Sequence, residues 1–359
     1  MKIRMQAKDF GEVLGLAGRA IQSRSPQPIL SYAYLRAQQE LEVYGTNGDL
    51  GIVARAAAEV AEPGEILLPA QLLTQVVAKL PGDEVVLEAS GSSKAAVSSG
   101  HMRVELQAAD ASEYPRPAAV EGQAVALDGA VLAAALRRVI YAAASEEFRA
   151  VFRGIQLELQ EQGLRLVASD GFRLAYQDLV LPGGPAGKYL VPARAASEFL
   201  RVLGPGQATL HLTERRIALV TDRAVVTSSL MEGDFPDYKR VIPDKKECAL
   251  EADAQELREA VSRVAILADR NSNRVDLLLH KKKLRVESRS DYGQGRDELE
   301  VSHEGPDMET AFNARFLTEA LAVIDGTVRI EFSGQISPAI FRDRGDQNYL
   351  ALIVPLRMG

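Results

Sequence analysis

The sequence predicts an α+β protein made of three tandem copies of one unit, each copy being two helices plus a sheet. Three observations carry this reading. Helical segments open at Pro69, Pro192 and Asn313, about 120 residues apart, and read PAQLLTQVVAKL, PARAASEFLRVL and NARFLTEALAVI. A second helix lies upstream in each copy, counted from Asp9, Asp128 and Asp253. The remainder alternates apolar and polar residues with Gly, Asp or Asn at the bends, as strands and turns do.

The upstream helix comes first in each copy. Asp9, Asp128 and Asp253 suit an N-cap or first turn, where an acid meets the positive end of the helix. Counted from them, Val13, Leu132 and Leu257 share one position, Ala20, Val139 and Val264 another, and Arg19, Arg138 and Arg263 a third. The later helix begins with Pro or Asn followed by Ala, and its apolar residues Val76, Val77 and Leu80 match Phe199, Leu200 and Leu203. Strands are expected in 85–108, 208–230 and 328–356. Proline and charge interrupt the pattern in EYPRPAAVEG (113–122) and FPDYKRVIPDKK (235–246), so domains are expected at 1–119, 120–246 and 247–359. Two helix classes recurring in one order favour triplication over three unrelated α+β domains.

A chain of 359 residues exceeds what one core supports. Its 47% hydrophobic and 25% charged residues describe an ordinary globular protein. The single cysteine, Cys248, permits no internal disulfide and suits a reducing cytoplasm. The N-terminus has no signal-like apolar core and no run is long enough to span a membrane, so a cytoplasmic location is expected. A net charge of −7 argues against nucleic acid only if that charge is evenly spread.

Motifs of catalysis are missing. LPGGPAGKY (181–189) lacks the first glycine of a phosphate loop and has Tyr189 where Ser or Thr should follow the lysine, so it reads as a turn. His101, His211, His280 and His303 have no zinc-like spacing. Asp234 and Asp237 form an acid pair without a nucleophile or ligand set nearby in sequence. Neither an enzyme nor a cofactor is expected.

One further stretch, VASDGFRLA (167–175), sets a polar turn between apolar runs. Together with SRSPQPILSYAYL (23–35), GDFPDYKRVIP (233–243) and YLALIVPLRM (349–358), it gives the chain its likeness. The whole sequence resembles the bacterial sliding clamps, the beta subunit of the replicative DNA polymerase III holoenzyme. The resemblance implies a non-catalytic processivity factor: a head-to-tail homodimer whose six domains close into a ring on duplex DNA, helices inside and sheets outside. Geometry is compatible with a dimer. Six helices about 9 Å apart enclose a circle only about 17 Å across, whereas twelve give about 34 Å between axes and roughly 24 Å clear, enough for a double helix.

The resemblance also assigns sites. DNA-facing cations would be Arg19, Arg24, Lys79, Arg137, Arg138, Arg149, Arg194, Arg201 and Arg263, making weak, sequence-independent phosphate contacts. A pocket between the second and third domains would take short peptides of the form Gln-Leu-x-Leu-Phe from the polymerase III alpha subunit, the clamp loader, other polymerases and repair proteins. Its walls would be Phe152, Ser169, Gly171, Phe172, Arg173, Leu174, Pro236, Arg240 and Val241, then Asn313, Phe316, Ile336 and Pro338, and Leu352, Ile353, Val354, Pro355, Leu356, Arg357 and Met358. An apolar chain end rimmed by Arg is the physical signature of such a partner site. Ser169 stands where many relatives carry Thr, Ser272 where an aromatic can help form the pocket, and Gly359 extends past the usual terminus. The subunit interface would join Arg103, Val104 and Leu106 to Ile266 and Leu267 of the other copy, with Glu298 and Glu300 as charge partners. Two rival readings are a peptide-binding scaffold that never encircles DNA and a metal-dependent DNA-acting enzyme using acids of GDFPD and DYGQGRDE (291–298).

Overall fold

In the computed structural model, residues 1–22, 26–145, 149–181 and 186–357 are described. Arg24, Met358 and Gly359, and positions 182–185 of LPGGPAGKY, lie outside them. Six helices fall where the repeats require: α1 (Ala7–Gly18), α2 (Ala70–Val77), α3 (Gly129–Ile140), α4 (Ala193–Val202), α5 (Ala254–Ala265) and α6 (Ala314–Leu321).

Caps explain several of these starts. Asp128 accepts from the backbone N–H groups of Ala130 and Val131, Asp253 from Glu256 and Asn313 from Arg315. The first helix departs from the expected register. It starts at Ala7, with Gln6 at the cap and no side-chain bond there, so Asp9 is a first-turn acid. Alignment on helix starts pairs Phe10 with Leu132 and Leu257, all buried, and moves Arg19 into line with Tyr141 and Ile266 instead of Arg138 and Arg263.

Two compact units are present. Met1–Leu132 with Ser197–Leu230 holds a five-stranded sheet, ordered Glu59–Glu62, Lys2–Gln6, Glu84–Ser90, Lys94–Ser99, Met102–Gln107. It also holds an eight-stranded sheet, ordered Gln123–Asp128, Gln207–Leu212, Arg216–Val220, Ala224–Ser229, Leu50–Ala56, Leu41–Thr46, Tyr32–Ala37, Gly64–Pro69. Its main core packs Phe10, Val13 and Leu14 of α1 and Leu73 of α2 against Ile3, Leu35, Val43 and Leu87. α1 lies so close to the sheet that a Cβ on Gly45 would sit 2.3 Å from the Ala17 carbonyl oxygen, which only glycine avoids.

The second unit, Ala133–Ala196 with Met231–Gly359, holds a nine-stranded sheet ordered Gly187–Pro192, Gly154–Gln160, Gly163–Ser169, Arg173–Val180, Tyr349–Ile353, Ala339–Asp343, Thr327–Phe332, Cys248–Asp253, Ser302–Glu304. A four-stranded sheet follows the order Gly293–Glu300, Lys283–Ser290, Arg274–His280, Met308–Asn313. Each long sheet joins strands of two successive repeats, so compactness and repetition divide the chain differently.

Cys248 is buried at the start of its strand, and burial pushes its thiol up to about 11. At pH 8 the thiolate is therefore about a thousandth of the population. Iodoacetamide should label Cys248 only in denaturant; rapid labelling of the folded protein would contradict this burial.

Candidate partner-peptide groove

VASDGFRLA is a hairpin. Asp170 Oδ1 accepts from the backbone N–H groups of Phe172 and Arg173, both at 2.9 Å, and Ser169 Oγ donates to the Arg173 carbonyl at 2.7 Å. Gly171 adopts φ +90°, and a Cβ added there would lie 3.6 Å from the Phe152 ring.

This hairpin also carries the end of the chain. Tyr349–Ile353 pairs antiparallel with Arg173–Val180, setting Leu352 opposite Leu174 and Ile353 opposite Arg173, and the Val354 N–H continues the ladder to the Phe172 carbonyl at 2.9 Å. Side chains alternate across a strand and cross-strand partners share a face. Leu174, Leu350 and Leu352 therefore lie on one face with Val167 and Ile340, packed beneath Tyr238 with Phe235 and Ile242. That cover is anchored: the Tyr238 hydroxyl donates to Glu158 at 3.1 Å, and Arg165, paired with Asp178 at 2.6 Å, stacks 4.3 Å from the Tyr176 ring centre.

The apolar row outruns its cover. Phe172 and Val354 continue it, 62% and 36% exposed, and the expected wall residues Val241 and Ile336 are exposed as well. Beyond Val354 the chain crosses to the strand Met308–Asn313, where the Leu356 N–H reaches the Ala311 carbonyl at 2.7 Å and the Arg357 carbonyl accepts from Arg274. The result is an open apolar shelf, and apolar surface arranged this way is a partner site more often than a bare core.

Not every expected wall residue faces the shelf. Arg173 alternates to the opposite side, 5% exposed, where Nε donates to Asp170 at 3.0 Å, the guanidinium pairs with Glu319, and it lies 4.4 Å from the ring centre of Phe316 and 5.4 Å from that of Tyr141. It acts as a strut tying the hairpin to α6. Ile353 is buried on that side as well. Asn313 caps α6 and donates to the Ser272 carbonyl at 3.2 Å. Arg240, paired with Asp237 at 2.9 Å, is almost fully exposed, Pro236 is exposed and Pro338 half-buried. Val167 and Ile340 complete the floor beneath Tyr238, and sequence singles out none of the three because only tertiary packing gathers them.

At the equivalent joint in the other unit the matching row is polar. Leu50–Ala56 pairs with Ala224–Ser229, and the Ser229 N–H to Asp49 carbonyl bond of 2.9 Å repeats the Val354 to Phe172 bond. Asp49, Gly51, Thr227 and Ser229 replace Phe172, Leu174, Leu352 and Val354.

The expected DNA-facing cations divide. Lys79, Arg137, Arg194 and Arg201 are exposed on or beside helices, and Arg149 stacks 5.9 Å from the Phe152 ring centre. Arg19 donates to Glu198, at 2.5 Å and 3.0 Å, and Arg263 to Asp297 at 2.8 Å. Arg138 departs from expectation: its side chain is 16% exposed and binds Asp343 at 2.7 Å and Asp346 at 2.9 Å above the Tyr349 ring. In this structure its guanidinium is taken up by carboxylates of its own chain. Of the expected interface residues, Arg103 is exposed beside Glu88, Leu106 is buried, Ile266 is 81% exposed, and Glu298 pairs with Lys283. Val104 and Leu267 are half-buried and Glu300 is exposed. No group of three or more metal-ligating side chains occurs among the described residues.

Three repeats of two helices plus sheet are thus spliced edge to edge, with an apolar shelf at the second splice. Models of the N-terminal, central and C-terminal domains of the DNA polymerase III beta subunit match residues 1–118, 126–237 and 239–357. The chain is 30% identical over 371 residues to the beta sliding clamp of Pseudomonas aeruginosa and 28% over 378 to that of Synechococcus elongatus, covering all of each. The crystal structure of the Pseudomonas aeruginosa clamp bound to griselimycin superposes with a TM-score of 0.94 at 29% identity, and that of the Thermotoga maritima beta subunit with 0.91 at 28%, both over the full lengths. The chain belongs to the DNA polymerase III beta subunit family, and its function is that of a non-catalytic processivity factor.

Proposed function

We propose that two copies close head to tail into a ring of six clamp domains, divided near residues 119 and 246, that slides on duplex DNA in the cytoplasm. The observation that carries this is a joint made twice and left open once. Leu50–Ala56 of the first repeat pairs with Ala224–Ser229 of the second, and Arg173–Val180 of the second with Tyr349–Ile353 of the third. The corresponding strands left over, Gly293–Glu300 and Met102–Gln107, are both sheet edges. Open edges of this kind are templates for pairing. The register of the two made joints, transferred to the third, puts Gly295 opposite Val104 of a second copy and Glu298 diagonal to Arg103, alongside Leu106, Ile266, Leu267 and Glu300.

Among the described residues no helix is long and apolar enough to cross a membrane. Arg137, Arg194, Arg201, Lys79 and Arg149 would line the hole and touch phosphate without reading sequence, and enclosure would supply retention. The shelf around Phe172, Leu174, Leu352, Val354 and Leu356 would capture short apolar peptides of polymerase III alpha, the clamp loader, other polymerases and repair proteins.

Small-angle scattering with simultaneous mass determination tests the ring: twice 38.9 kDa with the distance distribution of a hollow disc is expected, and a compact monomer at every concentration would overturn it. Reversing Arg137 and Arg194 to Glu should weaken duplex binding at low salt by at least about tenfold and flatten its salt dependence. Unchanged binding would remove them from the lining.

A further inference from the structure

The second helix of each repeat carries a matching residue six places after its opening Pro or Asn: Gln75, Glu198 and Glu319. Twelve residues beyond the start of each first helix stand Arg19, Tyr141 and Ile266. In the first joint these positions meet as a charged pair, Arg19 binding Glu198, whose side chain is 6% exposed. In the second joint Tyr141 and Phe316 both lie against the Arg173 guanidinium, which binds Glu319. Both joints within the chain therefore hold an arginine and a glutamate between the end of one first helix and the following second helix.

The third joint exists only between copies, and every one of these positions is uncharged there. Ile266 replaces Arg19 and Tyr141, Gln75 replaces the glutamates, and Leu72 replaces Ala195 and Phe316. Gly293 replaces Arg173, each standing two residues before a strand position, Gly295 or Ala175, fixed by the sheet registers. Ile266 and Leu72 are among the exposed large apolar residues, at 81% and 48%. With no side chain at Gly293, no counterpart of the Arg173 guanidinium would stand between them.

We propose that Ile266 of one copy docks on Leu72 and Gln75 of α2 in the second copy, and that this neutral contact distinguishes the joint between copies from the two within the chain. The inference rests on the ring reading above. It has a physical consequence for fidelity: Ile266 set against α4 or α6 would cover Glu198 or Glu319 without its Arg19 or Arg173 partner, leaving only the exposed Arg201 or Arg315 beside it, so α2 is the favoured seat.

Charge transfer between the two sides tests this by mass photometry and sedimentation. Ile266→Arg buries an unpaired guanidinium and should weaken the dimer by at least about a hundredfold, and Gln75→Glu by about tenfold. Combined in one chain, the two recreate the pair seen in the first joint and should bring the dimer back to within about tenfold of the unaltered protein. A combined variant no tighter than Ile266→Arg alone would overturn the proposal. Ile266 is exposed, so each variant should retain its circular dichroism and melting profile. If the unaltered protein is itself monomeric, the ring fails; if it dimerises without rescue, only this contact fails.

Discussion

Ending the chain after Val354 should abolish capture of a fluorescent Gln-Leu-x-Leu-Phe peptide while leaving the fold in place. The strand Tyr349–Ile353 stays whole, together with its pairing to Arg173–Val180. What goes is the crossing to Met308–Asn313, chiefly the Leu356 to Ala311 hydrogen bond, a loss of about 1–2 kcal/mol. Peptide anchors lose far more, since residues that fill an apolar site contribute about 2 kcal/mol or more each, and losing two should weaken binding by at least about a thousandfold. Phe172→Ala provides the control. Its ring is mostly in solvent, so stability should move by no more than about 0.5 kcal/mol while affinity falls at least about tenfold. Anisotropy titration beside a urea melt separates the two effects, and a truncated chain that still binds peptide would remove the chain end from the site.

Much of the fold could be read from sequence because the cues are local. Asp128, Asp253 and Asn313 cap the helices they precede, and alternation marks the strands between. The register of α1 could not be read this way. Its acid, Asp9, lies inside the helix, and a slip of three residues nearly maps a helical stripe onto itself, so Val13 passes for Phe10 as the partner of Leu132. The shelf was legible in part. DGFRL and IVPL announce turn and apolar end, but which side chains share a face depends on a pairing between residues far apart in sequence. That pairing sends Phe172 outward and Arg173 inward, a division that composition cannot supply.

Arg138 is the sharpest case of a residue whose role lies in remote partners. The helix α3 sets Arg137 and Arg138 side by side, yet one is exposed and the other reaches Asp343 and Asp346, more than 200 residues away. Asp343 is 2% exposed in its side chain, so without the guanidinium it would be left charged in a poorly hydrated site. Arg138→Ala should therefore destabilise the second unit by about 3–5 kcal/mol, whereas Arg137→Ala should cost no more than about 0.5 kcal/mol. Because a chain of this size need not unfold in one step, amide hydrogen exchange in Ala339–Asp343 and Tyr349–Ile353 is the direct measurement. Replacing both partners, Arg138→Met with Asp343→Leu, should recover most of the loss, since the cost arises from an orphaned charge more than from the lost attraction. If Arg138→Ala leaves exchange in both strands unchanged, the pair does not hold the sheet, and Arg138 returns to the set of cations available to DNA.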